Sequence, residues 1–180
     1  MVGKVLIIEG TSDETNGSLR KGFRMLLEKK LSGKMPQIIM GDSTKESIDG
    51  FLTQDYKGRD KILLIDLDKD ESFVDKIITE HKLKDQSHIV CFMIQEMEAW
   101  FLSQPDMLDK YYGTAISKKI SNKHAKDIPN PDEFLQDVTR KAGKKVYHKV
   151  KDGARLLEKL DLAKLETDFK DVEKLVGLLG

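Results

Sequence analysis

Two acidic residues in this sequence stand directly after strand-like apolar runs. Glu9 follows Val-Leu-Ile-Ile, and Asp66 follows Ile-Leu-Leu-Ile. Further acids come shortly afterwards, at 13–14 and at Asp68. Alternation along a strand would place Asp66 and Asp68 on one side of the chain. Carboxylate oxygens bind Mg²⁺, which usually takes one or two of them together with waters and substrate phosphates. If the two strands are neighbours, these acids converge into a magnesium site.

The elements that would position these acids alternate between strand and helix. The spacing of apolar residues predicts strands over 4–9, 37–40, 61–65 and 88–94, and helices over 12–31, 44–56, 72–81 and 95–103. Such alternation predicts an α/β fold with a mainly parallel sheet of about four strands and helices on both faces. Active sites in such sheets lie beyond the carboxyl ends of the strands. The acids therefore stand where a site is expected.

The pattern changes after residue 104. Gly113, Pro129 and Pro131 interrupt the stretch 111–131, which we interpret as a loop with a short helix. Three helical segments are then predicted, over 132–141, 151–160 and 162–179. We expect one domain, in which residues 1–104 form the α/β core and residues 105–180 form a mainly helical extension packed on that core.

The composition excludes several classes of protein. Cys91 is the only cysteine in 180 residues, which excludes a disulfide within the chain and a thiolate zinc cluster. No stretch approaches the roughly 20 apolar residues that cross a bilayer. The first residues also lack the pattern of a signal peptide. We therefore expect a cytoplasmic protein with no membrane association.

The charged residues are unevenly distributed, although 31 basic and 31 acidic side chains give a net charge of zero. Between residues 110 and 160 there are 13 Lys and Arg and 6 Asp and Glu. A basic segment opposite an acidic cluster is typical of a site for a metal ion and a polyanion. The lysines expected to bind a nucleic-acid backbone are Lys144, Lys145, Lys149 and Lys151.

Other acidic motifs fit the sequence less well. An EF-hand needs Gly at the sixth loop position and Glu at the twelfth, but Glu71 and Ile77 stand there when Asp66 is the first. A haloacid-dehalogenase-type phosphatase also has Asp-x-Asp after a strand. Its motif normally continues to Thr or Val where this chain has Asp70, and it usually lies on the first strand. Walker A, Gly-x-Gly-x-x-Gly and Gly-x-Ser-x-Gly motifs are absent.

The chain resembles TOPRIM domains, which occur in topoisomerases, bacterial primases and nucleases of the overcoming-lysogenization-defect (OLD) type. Residues 7–13 (Ile-Ile-Glu-Gly-Thr-Ser-Asp) resemble the strand–Glu-Gly start of these domains, and residues 63–68 (Leu-Leu-Ile-Asp-Leu-Asp) resemble their Asp-x-Asp strand. Other parts of the chain are similar to uncharacterised TOPRIM-like proteins often encoded beside AAA-type ATPases. These parts are residues 92–102, Tyr147-His148-Lys149 with Gly153, and the closing helix. The resemblance spans nearly the whole chain.

This resemblance implies roles for individual residues. Glu9 matches the TOPRIM glutamate, a metal ligand or general base, and Asp66 and Asp68 match the metal-binding pair. A further carboxylate is expected four residues after the first, at Asp13, with Glu14 as the alternative. Another is expected at Glu96 or Glu98. Lys149 is expected to offset charge on a transferring phosphoryl group.

Two functional hypotheses follow. The first is a phosphoryl-transfer enzyme, most simply a nuclease, that uses Mg²⁺ or Mn²⁺ and acts on DNA or RNA. The second is a non-catalytic regulatory or effector subunit of an AAA-type ATPase system, for example in phage defence. It is motivated by the lack of an ATP-binding motif in the chain and by the resemblance to proteins encoded beside ATPases.

Overall fold

Apolar, mostly branched residues form the strands at the centre of the fold. The computed structural model describes residues 3–10, 19–31, 33, 35–120, 124–143 and 145–180. Its strands are β1 (Lys4–Glu9), β2 (Gln37–Gly41), β3 (Asp60–Asp66) and β4 (Val90–Met93). All pair in parallel in one sheet of order β2-β1-β3-β4. The predicted α/β class and parallel sheet are confirmed.

The two central strands, β1 and β3, are covered on both faces. Residues 5–8 and 62–65 each expose at most 2% of their surface, as expected of parallel strands between two layers of helices. Ile8 pairs with Leu64, which brings the carboxyl ends of both strands to the same place. Glu9 and Asp66, the last residues of these strands, are half-buried there.

Helices surround the sheet. They are α1 (Leu19–Glu28), α2 (Thr44–Thr53), α3 (Val74–Glu80), α4 (Glu98–Leu102), α5 (Pro105–Tyr112), α6 (Pro131–Lys141), α7 (Lys149–Lys159), α8 (Leu162–Asp168) and α9 (Lys170–Leu179). Short 3₁₀ turns occur at Glu71–Phe73, Lys84–Ile89, Ser117–Lys119 and Ala125–Asp127. No helix in the described part of the chain is long and apolar enough to cross a membrane.

Two helical segments differ from the sequence prediction. α5 was not predicted, although Pro105 in its first turn and the left-handed Gly113 after its end are ordinary helix-boundary residues. The single helix expected over 162–179 is two helices, because Phe169 adopts an extended conformation between them. The break lets the Phe169 side chain enter the core, where it is 3% exposed.

The fourth strand and the helix after it are shorter than predicted. A 3₁₀ turn at Lys84–Ile89 takes the place of the first predicted strand residues, and β4 begins at Val90. The following helix begins at Glu98 and not at 95, because Gln95 has a left-handed backbone with φ of 61°. Residues 94–97 therefore form a turn beside the end of β3.

The helices after residue 105 share the core of the sheet. The Trp100 ring lies 6.2 Å from Phe23 of α1 and 6.5 Å from Phe169. α9 also covers the outer edge of β4, where Asp171 accepts a hydrogen bond from the Phe92 N–H and Lys174 donates one to the Val90 carbonyl. Unpaired strand edges favour association with other chains, so these contacts close one edge of the sheet.

Candidate active site at the carboxyl edge of the sheet

Glu9 is fixed by the neighbouring strand and by α2. Its Oε2 accepts a hydrogen bond from the Asp66 backbone N–H at 3.1 Å, and its Oε1 accepts one from Thr44 Oγ1 at 2.7 Å. Thr44 is the first residue of α2, which Ser43 caps by accepting a hydrogen bond from the Glu46 N–H. Burial raises the pKa of Glu9, although both hydrogen bonds oppose the shift. The carboxylate is therefore held in one orientation at the end of β1.

Asp66 lies between the turn at residues 94–97 and Lys149. Its Oδ1 accepts a hydrogen bond from the Met97 N–H at 3.0 Å, and its Oδ2 lies 3.9 Å from Lys149 Nζ. Only 12% of the Asp66 side chain is exposed. Burial raises the pKa of Asp66 well above its usual value, the nearby charges of Glu98 and Glu9 add to the shift, and Lys149 opposes it.

Asp68 lies near Glu9 and Asp66 because the chain turns after β3. The strand alternation predicted for Asp66 and Asp68 is not observed. β3 ends at Asp66, Leu67 is buried, and Asp68 has a left-handed backbone with φ of 54°. The Asp68 N–H donates to the Gln95 carbonyl at 2.6 Å. Its exposed carboxylate is close enough to contribute to the raised pKa of Glu9 and of Asp66.

Lys149 is the basic residue of the site. It is the first residue of α7, and its Nζ lies 3.5 Å from Glu98 Oε2 as well as 3.9 Å from Asp66 Oδ2. Burial alone would lower the pKa of Lys149, but the carboxylates of Glu98, Asp66 and Glu96 outweigh burial and raise it. Lys149 therefore carries a positive charge at neutral pH beside this cluster of carboxylates, while 42% of its side chain remains exposed.

Glu96, in the turn after β4, and Glu98, the first residue of α4, both belong to this cluster. Glu98 is completely buried and its Oε1 accepts a hydrogen bond from the Tyr147 hydroxyl at 2.6 Å. Glu96 is half-buried, and its Oε2 accepts a hydrogen bond from the Asp132 N–H at 3.3 Å, in the first turn of α6. Burial raises the pKa of both glutamates.

A cavity of about 250 Å³ opens at this edge of the sheet. Its polar lining comes from Glu9, Asp66, Lys149 and Asp42. Its apolar lining comes from Leu19, Met93, Met97 and Val150. Glu9 and Asp66, which end the two central strands, and Lys149 of α7 thus line one cavity that is partly open to solvent.

The chemistry of the donors suits a hard cation. Among the described residues, no three His, Cys, Asp or Glu side chains form a ready-made metal site. Mg²⁺ does not require one, since it usually takes one or two carboxylates and completes its shell with waters and phosphate oxygens. Glu9 and Asp66 could supply those carboxylates. Asp13 and Glu14, predicted as further ligands, lie outside the described residues.

The predicted nucleic-acid-binding lysines have different surroundings. Lys145 pairs with the buried carboxylate of Asp152, which also accepts hydrogen bonds from the Tyr111 hydroxyl and the His148 N–H. Lys151 is exposed in the first turn of α7. Lys144 lies outside the described residues. Lys145 therefore supports the turn before α7, whereas Lys151 faces solvent.

Sequence reasoning did not identify Thr44, Asp42 or Asp132 as part of the site. Asp42 and Thr44 could have been found from the sequence, because Asp42 directly follows β2 and Thr44 begins α2, at the same carboxyl edge as Glu9. No sequence feature indicated Asp132, because its place beside Glu96 depends on how α6 packs against α4.

Comparison with known proteins places the chain in a family. The model of the family described as "Domain of unknown function (DUF4276)" matches residues 8–179. The chain belongs to this family. The DUF4276 match includes both strand-end acids, both glutamates of the cluster and Lys149. Neither a search of curated proteins nor a search of solved structures found a match.

Proposed function

We propose that the protein is a TOPRIM-like phosphoryl-transfer enzyme that uses Mg²⁺ or Mn²⁺ and acts on nucleic acid, with phosphodiester hydrolysis as its reaction. The observation that supports this most strongly is the shared cavity of Glu9, Asp66 and Lys149. Carboxylates and a lysine at the carboxyl edge of a parallel sheet combine the ligands of a hard cation with a phosphate-binding cation.

Each residue has a distinct role in the proposal. Glu9 and Asp66 hold the divalent ion, with Asp68 near enough to assist. The bound ion would neutralise phosphate charge and orient the attacking water. Lys149 binds a non-bridging phosphate oxygen as negative charge develops on it. Lys151, which is exposed in the same first turn of α7, would contact the nucleic-acid backbone.

Hydrolysis also requires a proton acceptor. The attacking water forms the new P–O bond and gives up a proton, while the leaving oxygen takes the electrons of the broken P–O bond. Burial raises the pKa of Glu9, and a raised pKa makes its carboxylate a stronger base for this proton. Thr44 holds that carboxylate at 2.7 Å, so its orientation is set before substrate binds.

The first experiment is a cleavage assay of the purified chain with supercoiled plasmid, single-stranded DNA and RNA, with Mg²⁺, Mn²⁺ or EDTA. We expect metal-dependent cleavage that Asp66→Asn reduces by about 100-fold or more, because loss of one electrostatic catalytic contact typically has that effect. Asn keeps the shape of Asp66 and an acceptor for the Met97 N–H, so the fold is preserved. Asp49→Asn, on an exposed part of α2, is the matched control.

Two results would contradict the proposal. Cleavage that persists in EDTA, or that Asp66→Asn leaves unchanged, would assign it to a contaminant or to another site. Metal binding without cleavage of any substrate would instead favour the second hypothesis, a regulatory or effector subunit of an AAA-type ATPase system. Copurification of an ATPase with the chain from its host would then be the next measurement.

A further inference from the structure

Glu98 is the most deeply buried charged residue near the proposed metal site. Its exposed fraction is 0%, and Tyr147 provides a hydrogen bond to Oε1. Glu98 Oε2 has no hydrogen-bond donor among the described residues, and its ionic contact is Lys149 Nζ at 3.5 Å. Burying a carboxylate carries a penalty of several kcal/mol. A buried acid with one oxygen directed at a lysine therefore calls for an explanation.

Lys149 divides its charge between two carboxylates. Its Nζ lies 3.5 Å from Glu98 Oε2 and 3.9 Å from Asp66 Oδ2. A divalent cation at the site would need the same Asp66 carboxylate. The ammonium group and the metal ion therefore compete for Asp66, and any group that draws Lys149 away leaves this carboxylate free for the metal.

Tyr147 makes Glu98 a rigid partner for the lysine. The Tyr147 side chain is 2% exposed and its ring lies 6.3 Å from that of Phe101. The Tyr147 N–H donates to Thr139 Oγ1 at 2.9 Å within α6. Because Tyr147 is fixed at both its backbone and its ring, its hydroxyl holds Oε1 of Glu98 and leaves Oε2 toward Lys149.

We propose that Glu98, oriented by Tyr147, is a positioning residue that draws the Lys149 ammonium away from Asp66 and so leaves Asp66 free to bind a divalent cation. This inference rests on the metal site of the proposed function and assigns Glu98 no contact with metal or substrate. Glu98 acts through Lys149 alone. Removing the charge of Glu98 should therefore let Lys149 pair with Asp66 and weaken metal binding.

The test is calorimetric titration of the purified full chain with Mn²⁺, without nucleic acid. Glu98→Gln should weaken Mn²⁺ binding by about tenfold, equivalent to about 1.4 kcal/mol. Glu98→Gln combined with Lys149→Met should bind Mn²⁺ as tightly as Lys149→Met alone, because no ammonium remains to be positioned. Such non-additivity is the signature of one residue acting through another.

Different outcomes separate this inference from the proposed function. If Glu98→Gln weakens Mn²⁺ binding equally with and without Lys149, Glu98 is itself a ligand and the inference is wrong. Unchanged Mn²⁺ affinity in a folded Glu98→Gln protein would also overturn it. Absence of Mn²⁺ binding by the wild-type chain would overturn both the metal site and this inference.

A second variant tests the positioning role even if Glu98→Gln does not fold. Tyr147→Phe keeps the ring in the core and removes only the hydroxyl that orients Glu98. We expect it to weaken Mn²⁺ binding in the same direction, by about threefold, and to lose this effect in the Lys149→Met background. An equal loss in both backgrounds would contradict the positioning role.

Discussion

Asp66 lies where its negative charge is unfavourable for the fold. Burial of its side chain raises its pKa most, the charges of Glu98, Glu9 and Asp68 add to the shift, and Lys149 opposes it. A protein that needed stability alone would place a neutral side chain here, because an incompletely paired buried charge destabilises the folded state. Local instability of this kind is typical of catalytic and binding sites.

Neutralising Asp66 should therefore stabilise the protein at neutral pH. The folded-state pKa of Asp66 lies above its unfolded value, so its contribution to stability is present at low pH and is lost as pH rises through the folded pKa. Asp66→Asn should therefore raise the free energy of unfolding at neutral pH, and by more than the roughly 0.5 kcal/mol typical of surface changes. The gain should shrink as the buffer becomes mildly acidic. Urea denaturation in metal-free buffer measures both effects.

The matched control for this prediction is again Asp49→Asn on the exposed surface of α2. Surface changes of this kind usually alter stability by less than about 0.5 kcal/mol. A stability of Asp66→Asn equal to or below that of the wild-type chain at neutral pH would show that Lys149 compensates the buried charge fully.

The residues of the site were predictable to different degrees. Glu9 and Asp66 could be predicted because an acid that ends a buried apolar run must lie at the carboxyl edge of a parallel sheet. The pairing of Glu98 with Lys149 could not, since these residues are far apart in the sequence and meet only through helix packing. The strand alternation predicted for Asp68 is not observed, because the chain leaves β3 at Asp66 and Asp68 lies in a turn with a left-handed backbone.

At the level of elements, α7 determines where Lys149 lies, and α1 determines where α7 lies. Gly22 of α1 packs directly against the backbone of Ala154 in α7. Near the end of α1, Lys29 Nζ donates hydrogen bonds to the Glu158 and Leu160 carbonyls. The two helices are thus joined by close contact at one point and by hydrogen bonds at another.

Gly22→Ala should separate these helices. A Cβ at position 22 would lie 2.7 Å from the Ala154 Cα, and backbone cannot move aside as a flexible side chain can. We expect a loss of about 1–3 kcal/mol in the free energy of unfolding, as for other overpacked contacts. Urea denaturation of Gly22→Ala beside the wild-type chain measures this loss.

Gly177→Ala is the matched control, since Gly177 lies on the exposed face of α9 and a Cβ there meets no atom within 4 Å. Alanine favours helix over glycine, so this variant should be more stable by about 0.4–1 kcal/mol. If Gly22→Ala were also stabilising, the α1–α7 contact would be loose enough to adjust, and Gly22 would not limit the position of Lys149.

The strands and helices differ in how well they could be predicted from the sequence. The buried runs of β1 and β3 identified these strands clearly, because a continuous apolar stretch followed by an acid has few other interpretations. α5 was missed because eight residues are too few for a clear helical period, even though Pro105 and Gly113 mark both ends. The break at Phe169 depends on a space beside Trp100 that no local pattern reveals.

The net charge of the whole molecule is zero, but its acidic and basic residues are concentrated in different parts of the chain. The strand-end acids and the two glutamates of the cluster gather at one edge of the sheet, while the excess of Lys and Arg lies between residues 110 and 160. That basic segment includes α7, whose first turn reaches the acidic cavity. The proposed function therefore requires that a polyanion with one phosphate at the cavity also contacts exposed lysines of this segment.

Salt dependence tests whether this surface binds nucleic acid. Each phosphate that a lysine neutralises releases counterions, so the logarithm of affinity falls with the logarithm of salt concentration by about 0.7–0.9 per contact. Lys151→Ala should reduce this slope by about one contact, because Lys151 is exposed in the first turn of α7. Fluorescence anisotropy with a labelled oligonucleotide in EDTA measures binding without cleavage.

The control for this prediction is Lys84→Ala, which should leave the slope unchanged. Lys84 is exposed and lies before β4, at the amino ends of the strands and away from the cavity. Equal slopes for both variants, or a loss of affinity below about tenfold between roughly 50 and 200 mM salt, would exclude the basic segment as the binding surface.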